Sequence, residues 1–410
     1  MKNLACEFEF RTSDRANGPP VGKLLHNMKR VSSKRASQSA ALLHVGTTGF
    51  GKDNPSTIMR LNLDLSNGTL STAGAHIRTA GGSPGWLTRY ARSGTRVYVA
   101  NEDCPGTLQA YASDPADGAL EPLGEPVSSV GRAPCYAALD VSGRWCFAAN
   151  YVEGSIAVCP VLADGSLGPA TDSKHHQGAD EIDEALHDRQ EGAHCHCVLV
   201  HPSNQWVIAC DLGLSAVFVY GFDARRGTLS GAADDPRHLR LSAEAGCRHA
   251  CWNATGTVLF VNNELTCSVT VAHFDVATGR LVEHQTVAAL PPTVTPDRGH
   301  HCGGSDIALH PNGRFLYAAE RSASPGLLAI FAFEPTTASL KLLGHESTRG
   351  KCPRNFKLLA NGAWLVVGNQ ESKTIASFAV DAESGKLTLA HELQVTHKPC
   401  NIASPLAHFA

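Results

Sequence analysis

Short apolar runs alternate with polar turns along most of this chain, and they do so in a recurring phrase. Each copy holds an apolar strand, a polar residue or pair, a second apolar strand, and a small polar turn closed by leucine. Seven copies are marked by Leu42, Asp64 and Leu70; Val97, Tyr111 and Leu120; Cys146, Val158 and Leu167; Trp206, Tyr220 and Leu229; Val258, Phe274 and Leu281; Phe315, Phe333 and Leu340; and Leu365, Val380 and Leu387. The closing leucines are about 47 to 62 residues apart, within the range of propellers and solenoids.

The copy around Arg248 shows the unit. His249 to Trp252 reads as a strand, Asn253 to Gly256 as a turn and Thr257 to Val261 as a second strand. Cys267 to Phe274 makes a third strand with traces of alternation, and Val282 to Val287 a fourth. Four antiparallel strands make one propeller blade. The second strands, such as Val258 to Val261 and Phe315 to Ala318, are unbroken apolar runs, as expected when both faces of a sheet are covered. The pattern predicts an all-β, seven-bladed β-propeller with four-stranded antiparallel blades. Pro399 to Ala403 reads as a first strand with no second, and Leu42 to Gly46 as a second strand with no first. Paired, they complete one blade from both ends of the chain and leave no open edge.

In an up-and-down blade, the start of the innermost strand and the end of the second strand lie on one face. The starts are Pro84, Pro134, the stretch through His196, Arg248 with His249, Ser305 with Asp306, Pro353 with Arg354, and Pro399. The second-strand ends are Gly46, Asn101 with Glu102, Asn150 with Tyr151, Asp211, Asn263 with Glu264, Glu320 with Arg321, and Asn369 with Gln370. Polar residues concentrate in these two sets, which marks that mouth of the central channel as the site.

Three arginines, Arg248, Arg321 and Arg354, meet Glu264 and His196 there. Guanidinium forks suit a carboxylate or phosphate ligand, while histidine and glutamate can carry a proton near neutral pH. His196, Glu264, Arg248 and Arg321 are the candidate catalytic set, and His194, His249, Arg354, Asn369 and Gln370 the candidate substrate contacts. The simpler alternative is an Arg248–Glu264 pair that only holds a blade rim. The stretch His194-Cys195-His196-Cys197, with His300-His301-Cys302, suggests zinc, but strand alternation sets the histidines on one face and the cysteines on the other. No CxxC pair completes a structural site, so no metal and no cofactor are expected. The polar, acidic segment Thr171 to Glu191 leads into His194 and reads as a loop that could lid the mouth.

Composition changes the picture little. The formal net charge of −3 gives no basic surface for nucleic acid, and no apolar run approaches the roughly 18 residues of a membrane span. Fourteen cysteines without a secretory leader read as reduced thiols in a cytoplasmic protein. Length alone suggests two or three domains, but the repeat makes residues 39–410 one domain, expected as a monomer or weak homo-oligomer. Residues 1–38 are basic and lie outside every repeat. They read as a disordered extension, with an organelle-targeting leader as the alternative.

The run Arg189-Gln190-Glu191-Gly192-Ala193-His194-Cys195-His196, with His176-Gln177-Gly178 upstream, resembles the seven-bladed lactonase family, which holds propeller-type 6-phosphogluconolactonases and the fungal carboxymuconate cyclase. The likeness continues through Gly46-Thr47-Thr48-Gly49, Asn150-Tyr151, Asp211-Leu212-Gly213, Cys247-Arg248-His249, Asn263-Glu264-Leu265, Asp306, His310 to Arg314, Pro353 to Phe356 and Asn369-Gln370. In the cyclase branch the proposed active site is one histidine, two arginines and one glutamate, which the motifs carry onto His196, Arg248, Arg321 and Glu264. Cys247 stands where proline is usual and Glu320 where asparagine is common. The resemblance implies hydrolysis of a small anionic sugar-acid lactone, 6-phosphogluconolactone of the oxidative pentose phosphate pathway foremost. The alternatives are a carboxymuconate-type lactone cyclase and a non-catalytic interaction propeller.

Overall fold

The computed structural model describes residues 39–47, 56–79, 82–89, 95–177, 187–232, 235, 237–294 and 303–405. Seven antiparallel sheets follow one another along the chain. Blade 1 is closed from both termini: the innermost strand Pro399–Ala403 pairs with Ala40–Thr47, which pairs in turn with Thr57–Asp64, with Val45 facing Ile402. The other innermost strands are Pro84–Arg89, Pro134–Leu139, Cys195–Val200, Cys247–Trp252, Gly304–Leu309 and Pro353–Leu359, in blades 2 to 7.

The apolar second strands are sandwiched as their composition requires. Buried side chains fall into seven clusters, one in each gap between neighbouring blades. Phe147 and Val158 of blade 3 meet Val207 and Phe218 of blade 4, and Trp364 and Val366 of blade 7 meet Leu43 and Leu61 of blade 1. The ring is thus sealed by the same apolar packing that joins every other pair. The Trp145, Trp206 and Trp364 indoles each donate to a turn carbonyl of the next blade, at Ala224, Val276 and Leu65.

Two details differ from the expected unit. In blades 1 and 4 the outer strand is split in two, Leu70–Thr72 with Ile77–Arg78 and Thr228–Ser230 with Leu239–Arg240. The segment read as one long loop from Thr171 begins as a strand: Asp172–His175 forms the outer edge of blade 3. An edge strand facing solvent needs no apolar alternation, which is why the sequence pattern hid it. Residues 178–186 lie outside the described residues, and His187–Gln190 forms a single helical turn before blade 4.

The basic extension, residues 1–38, also lies outside the described residues. Because every described strand lies between Ala40 and Ala403, deletion of residues 1–35 is expected to shift the thermal midpoint by no more than about 2 °C, the scale of ~1 kcal/mol in a domain of this size. A differential-scanning melt of the truncated chain checks this, and a larger drop would assign the extension a packing role. No described helix is long and apolar enough to cross a membrane.

Candidate active site

A structural device absent from the sequence pattern builds the mouth. In each innermost strand the pairing slips near the first residues, leaving one extra residue against the second strand. The residues passed over by the register are Gly85, Cys135, His196, Arg248, Arg354 and Cys400, while in blade 6 Ser305 and Asp306 together oppose Ala319. A bulge re-aims the side chain it carries. Repeated around the ring, it gathers His196, Arg248 and Arg354 at one mouth. In blades 2, 3, 5, 6 and 7 the residue after the second strand joins them: Glu102, Tyr151, Glu264, Arg321 and Gln370 follow Asn101, Asn150, Asn263, Glu320 and Asn369.

Glu264 is the hub. Its Oε1 lies 2.5 Å from Arg189 Nη2, and its Oε2 lies 2.7 Å from Arg248 Nε and 3.0 Å from Arg321 Nη2. Burial opposes the charge of this carboxyl, but Arg321, Arg189 and Arg248 outweigh it and hold the pKa down to about 2. The arginines are fixed on their other sides. Arg248 Nη1 donates to Ser305 O, and Arg321 donates through Nε to Gly303 O and through Nη2 to Gly304 O.

His196 lies beside this hub. Its Nδ1 is 3.7 Å from Cys135 Sγ, and its ring packs edge-on against His249 and Tyr151. Its Nε2 makes no hydrogen bond among the described residues. Burial first, then Arg248, His249 and Arg354, holds its pKa well below the usual value, so the ring is neutral at pH 7. Arg354 is half-buried, and its guanidinium makes no hydrogen bond or ion pair among the described residues. Its charge is opposed by burial but favoured first by Glu102.

The remaining candidates are placed differently. His249 Nδ1 bonds Asp306 Oδ1 at 2.9 Å, and Asp306 Oδ2 takes up the Asn355 amide and the Phe356 N–H. His194 stacks on Tyr151 and is held by Tyr151 O and Glu191, at 3.0 and 2.9 Å. Asn369 donates its amide to Thr348 O and Thr374 Oγ1, as Asn150 does to Ser129 O and Ser155 Oγ, so it closes its own blade. Gln370 is buried with its Oε1 3.6 Å from Cys352 Sγ. The expected alternation of the histidine-cysteine stretch is broken by the bulge at His196: Cys195 enters the core between blades 3 and 4, and Cys197 the core between blades 4 and 5. Their thiols therefore share no face. His300, His301 and Cys302 lie outside the described residues.

Two mouth residues fall outside the candidate catalytic and substrate-contact sets. Arg189 belongs to no repeat. It is delivered by the helical turn, which the Gln190 amide anchors on Leu212 O, Gly213 O, Ser215 Oγ and Ala243 O. Glu102 stood among the second-strand ends at the mouth but outside the candidate sets, although Asn101-Glu102 repeats Asn263-Glu264 three second strands earlier in the same structural position.

A family model described as "Lactonase, 7-bladed beta-propeller" matches residues 43–403. The chain belongs to the seven-bladed lactonase family. A 6-phosphogluconolactonase of Bacillus subtilis is 28% identical over 346 residues, covering 84% of this chain and 93% of that one. One from Pectobacterium carotovorum is 32% identical over 64% of this chain and 71% of its own length. The solved periplasmic gluconolactonase PpgL of Pseudomonas aeruginosa superposes with a TM-score of 0.78 at 28% identity, covering 89% of this chain and 99% of that one.

A cavity of about 480 Å³ in this lactonase propeller is lined by none of His196, Arg248, Glu264, Arg321 and Arg354. That cavity is lined mainly by apolar side chains of the innermost strands, with Asp306 and Lys357 among its polar groups. Trp86 and Tyr136, stacked on each other in its lining, both pack edge-on against His249, whose ring meets His196.

Glu320, the departure noted beside Arg321, is fully buried. Burial raises its pKa to about 8 against the opposing pull of Cys267 and Arg321. Between about pH 4.5 and 8 the folded chain keeps a proton that the unfolded chain releases, so stability falls as pH rises through that window. Glu320→Gln is expected to leave the melting midpoint near wild type at pH 5 and raise it by pH 8.5, by up to about 1–3 kcal/mol, the cost of an unsatisfied buried group. A variant less stable than wild type at pH 8.5 would mean that Glu320 is ionised and paired with Arg321.

Proposed function

We propose that this lactonase-family chain hydrolyses a sugar-acid δ-lactone bearing a second anionic group, with 6-phosphoglucono-1,5-lactone of the oxidative pentose phosphate pathway as its substrate. The observation that carries the reading is the contrast within the mouth. Arg189, Arg248 and Arg321 are committed to Glu264, whereas Arg354 and His196 Nε2 are not committed to the protein. An uncommitted guanidinium beside an uncommitted neutral imidazole suits one anion and one proton transfer. Relatives at 28–32% identity that carry the name 6-phosphogluconolactonase support the same substrate class.

In this mechanism Arg354 takes the phosphate. His196 Nε2 accepts a proton from the water that attacks the lactone carbonyl, a role open to it because its neighbours keep the ring neutral. Glu264, with its pKa near 2, is too weak a base for that step. It holds Arg248 and Arg321 in place, and their remaining N–H groups stabilise the oxyanion of the tetrahedral intermediate. Anchored donors of this kind need no reorganisation as charge develops.

The substrate is tested by acid release from freshly made 6-phosphogluconolactone and from unphosphorylated gluconolactone, each against its spontaneous rate. We expect kcat/KM to favour the phosphorylated lactone by about tenfold or more, from a charge-assisted contact worth ~1.5–3 kcal/mol, and Arg354→Ala to remove the preference. Equal rates for the two, or isomerisation of a tricarboxylate lactone without acid release, would sink this substrate assignment. The latter would favour the cyclase reading.

A further inference from the structure

Like Glu320, Glu102 is a mouth carboxyl without a hydrogen-bonding partner among the described residues. It sits one residue beyond its second strand, as Glu264 does, and is only 8% exposed. Three guanidiniums surround Glu264, yet the Glu102 carboxyl makes no hydrogen bond or ion pair among the described residues. The groups that face it are Arg354 from blade 7, Arg248 from blade 5, Asp103 beside it, and the thiols of Cys135 and Cys400. Burial outweighs the two arginines, and Glu102 keeps its proton to a higher pH than an ordinary carboxyl.

Two features show that the position is built. The bulge residue of Glu102's own blade is Gly85, where a Cβ would collide with the Glu102 carboxyl. The blade therefore gives up its mouth-facing side chain at the one place where this carboxyl lies. In addition, Cys135, which feels the charge of Glu102, also touches His196 Nδ1 at 3.7 Å. Glu102 and His196 thus both act on one thiol, and Arg354 acts electrostatically on both.

We propose that Glu102 is the general acid of ring opening, an inference that rests on the lactonase reading above. As the water oxygen bonds to the lactone carbonyl carbon, His196 takes one water proton and the carbonyl π pair becomes the oxyanion. When that pair returns, the ring C–O bond breaks with its electrons on the ring oxygen. Glu102 supplies the proton that makes this oxygen a hydroxyl. Glu102 is left as a carboxylate opposite Arg354, and the proton on His196 returns to it through solvent. The new carboxylic acid then gives its proton to water, which is the net acid released. An aliphatic alkoxide is a poor leaving group, so an acid at this atom contributes about 10²- to 10⁴-fold.

The test compares wild type, Glu102→Gln and Glu102→Asp on fresh 6-phosphogluconolactone across pH 5.5–8. The chemistry requires kcat of Glu102→Gln to fall about 10²-fold or more with KM changed less than about threefold, and Glu102→Asp to recover part of the loss. Wild-type kcat should decline on the alkaline side as Glu102 ionises, and this limb should vanish in Glu102→Gln. A near-normal kcat, a loss confined to KM, or an alkaline limb that persists in Glu102→Gln would overturn the assignment and reduce Glu102 to a counterion of Arg354. If Glu102→Gln fails to fold, the aspartate variant decides: its kcat should fall while its limb remains, and an unchanged kcat counts against the proposal. Wild type that does not accelerate hydrolysis at all would instead refute the lactonase reading, and this inference with it.

Discussion

Glu264→Ala is expected to destabilise the propeller by about 3–5 kcal/mol and to abolish turnover. The loss of stability follows from what the carboxylate does for its neighbours. Arg248, Arg321 and Arg189 are drawn to it from blade 5, from blade 6 and from the helical turn before blade 4, and the first two are almost fully buried. Removing one partner from a buried ion cluster leaves the others charged and unpaired, which costs far more than the intact pair contributes. Already with Glu264 present, burial and then Arg321 pull the pKa of Arg248 down to about 10. Glu264→Gln keeps the shape but not the charge and should fall between wild type and alanine. Urea titrations of the three proteins check this order, and a Glu264→Ala variant as stable as wild type would mean that the cluster is not assembled. The stabilisation also has a pH signature. Because Glu264 titrates near 2 when folded and near 4.5 when unfolded, its contribution is complete above the unfolded value and is lost as pH falls towards 2.

His196→Ala should have the opposite profile: a kcat lower by roughly 10²- to 10⁴-fold, with KM and stability changed far less. Among the described residues the imidazole holds no ion pair, and its Nδ1 lies 3.7 Å from Cys135 Sγ, a weak contact. Arg354→Ala should complement it, raising KM by about tenfold or more while kcat on bound substrate stays within a few-fold, since it removes a contact worth ~1.5–3 kcal/mol in ground and transition state alike. A pair of variants that fail in different kinetic constants is what separate proton-transfer and anion-holding roles require. Loss of KM alone in His196→Ala would remove it from the chemistry.

The ring, its closure and the polar mouth were legible because they depend on periodicity. An apolar second strand followed by a polar residue recurs in every blade, and the unmatched half-blades at Leu42 to Gly46 and Pro399 to Ala403 can only pair with each other. The meeting of Glu264 with Arg248 and Arg321 follows from the same geometry. What the pattern could not carry was local. A bulge leaves no mark in hydropathy, so the re-aiming of His196 and the parting of Cys195 from Cys197 were hidden. Asn369 resembled a mouth residue by position, but its amide is drawn back into its blade by Thr348 and Thr374. Arg189 lies outside the repeat, and its contact with Glu264 spans 75 residues of sequence. The second-strand ends put Glu102 and Glu264 in equivalent positions, but position alone did not single out Glu102 as a site carboxyl.

The most direct test of the mouth as a lactone-hydrolysing site is acid release from freshly prepared 6-phosphogluconolactone, followed at pH 6.5 with wild type, folded His196→Ala and a protein-free blank in parallel. The account predicts saturable acceleration by wild type and a rate in His196→Ala at least about 10²-fold lower at saturation. Wild type no faster than the blank, or His196→Ala as fast as wild type, would contradict it.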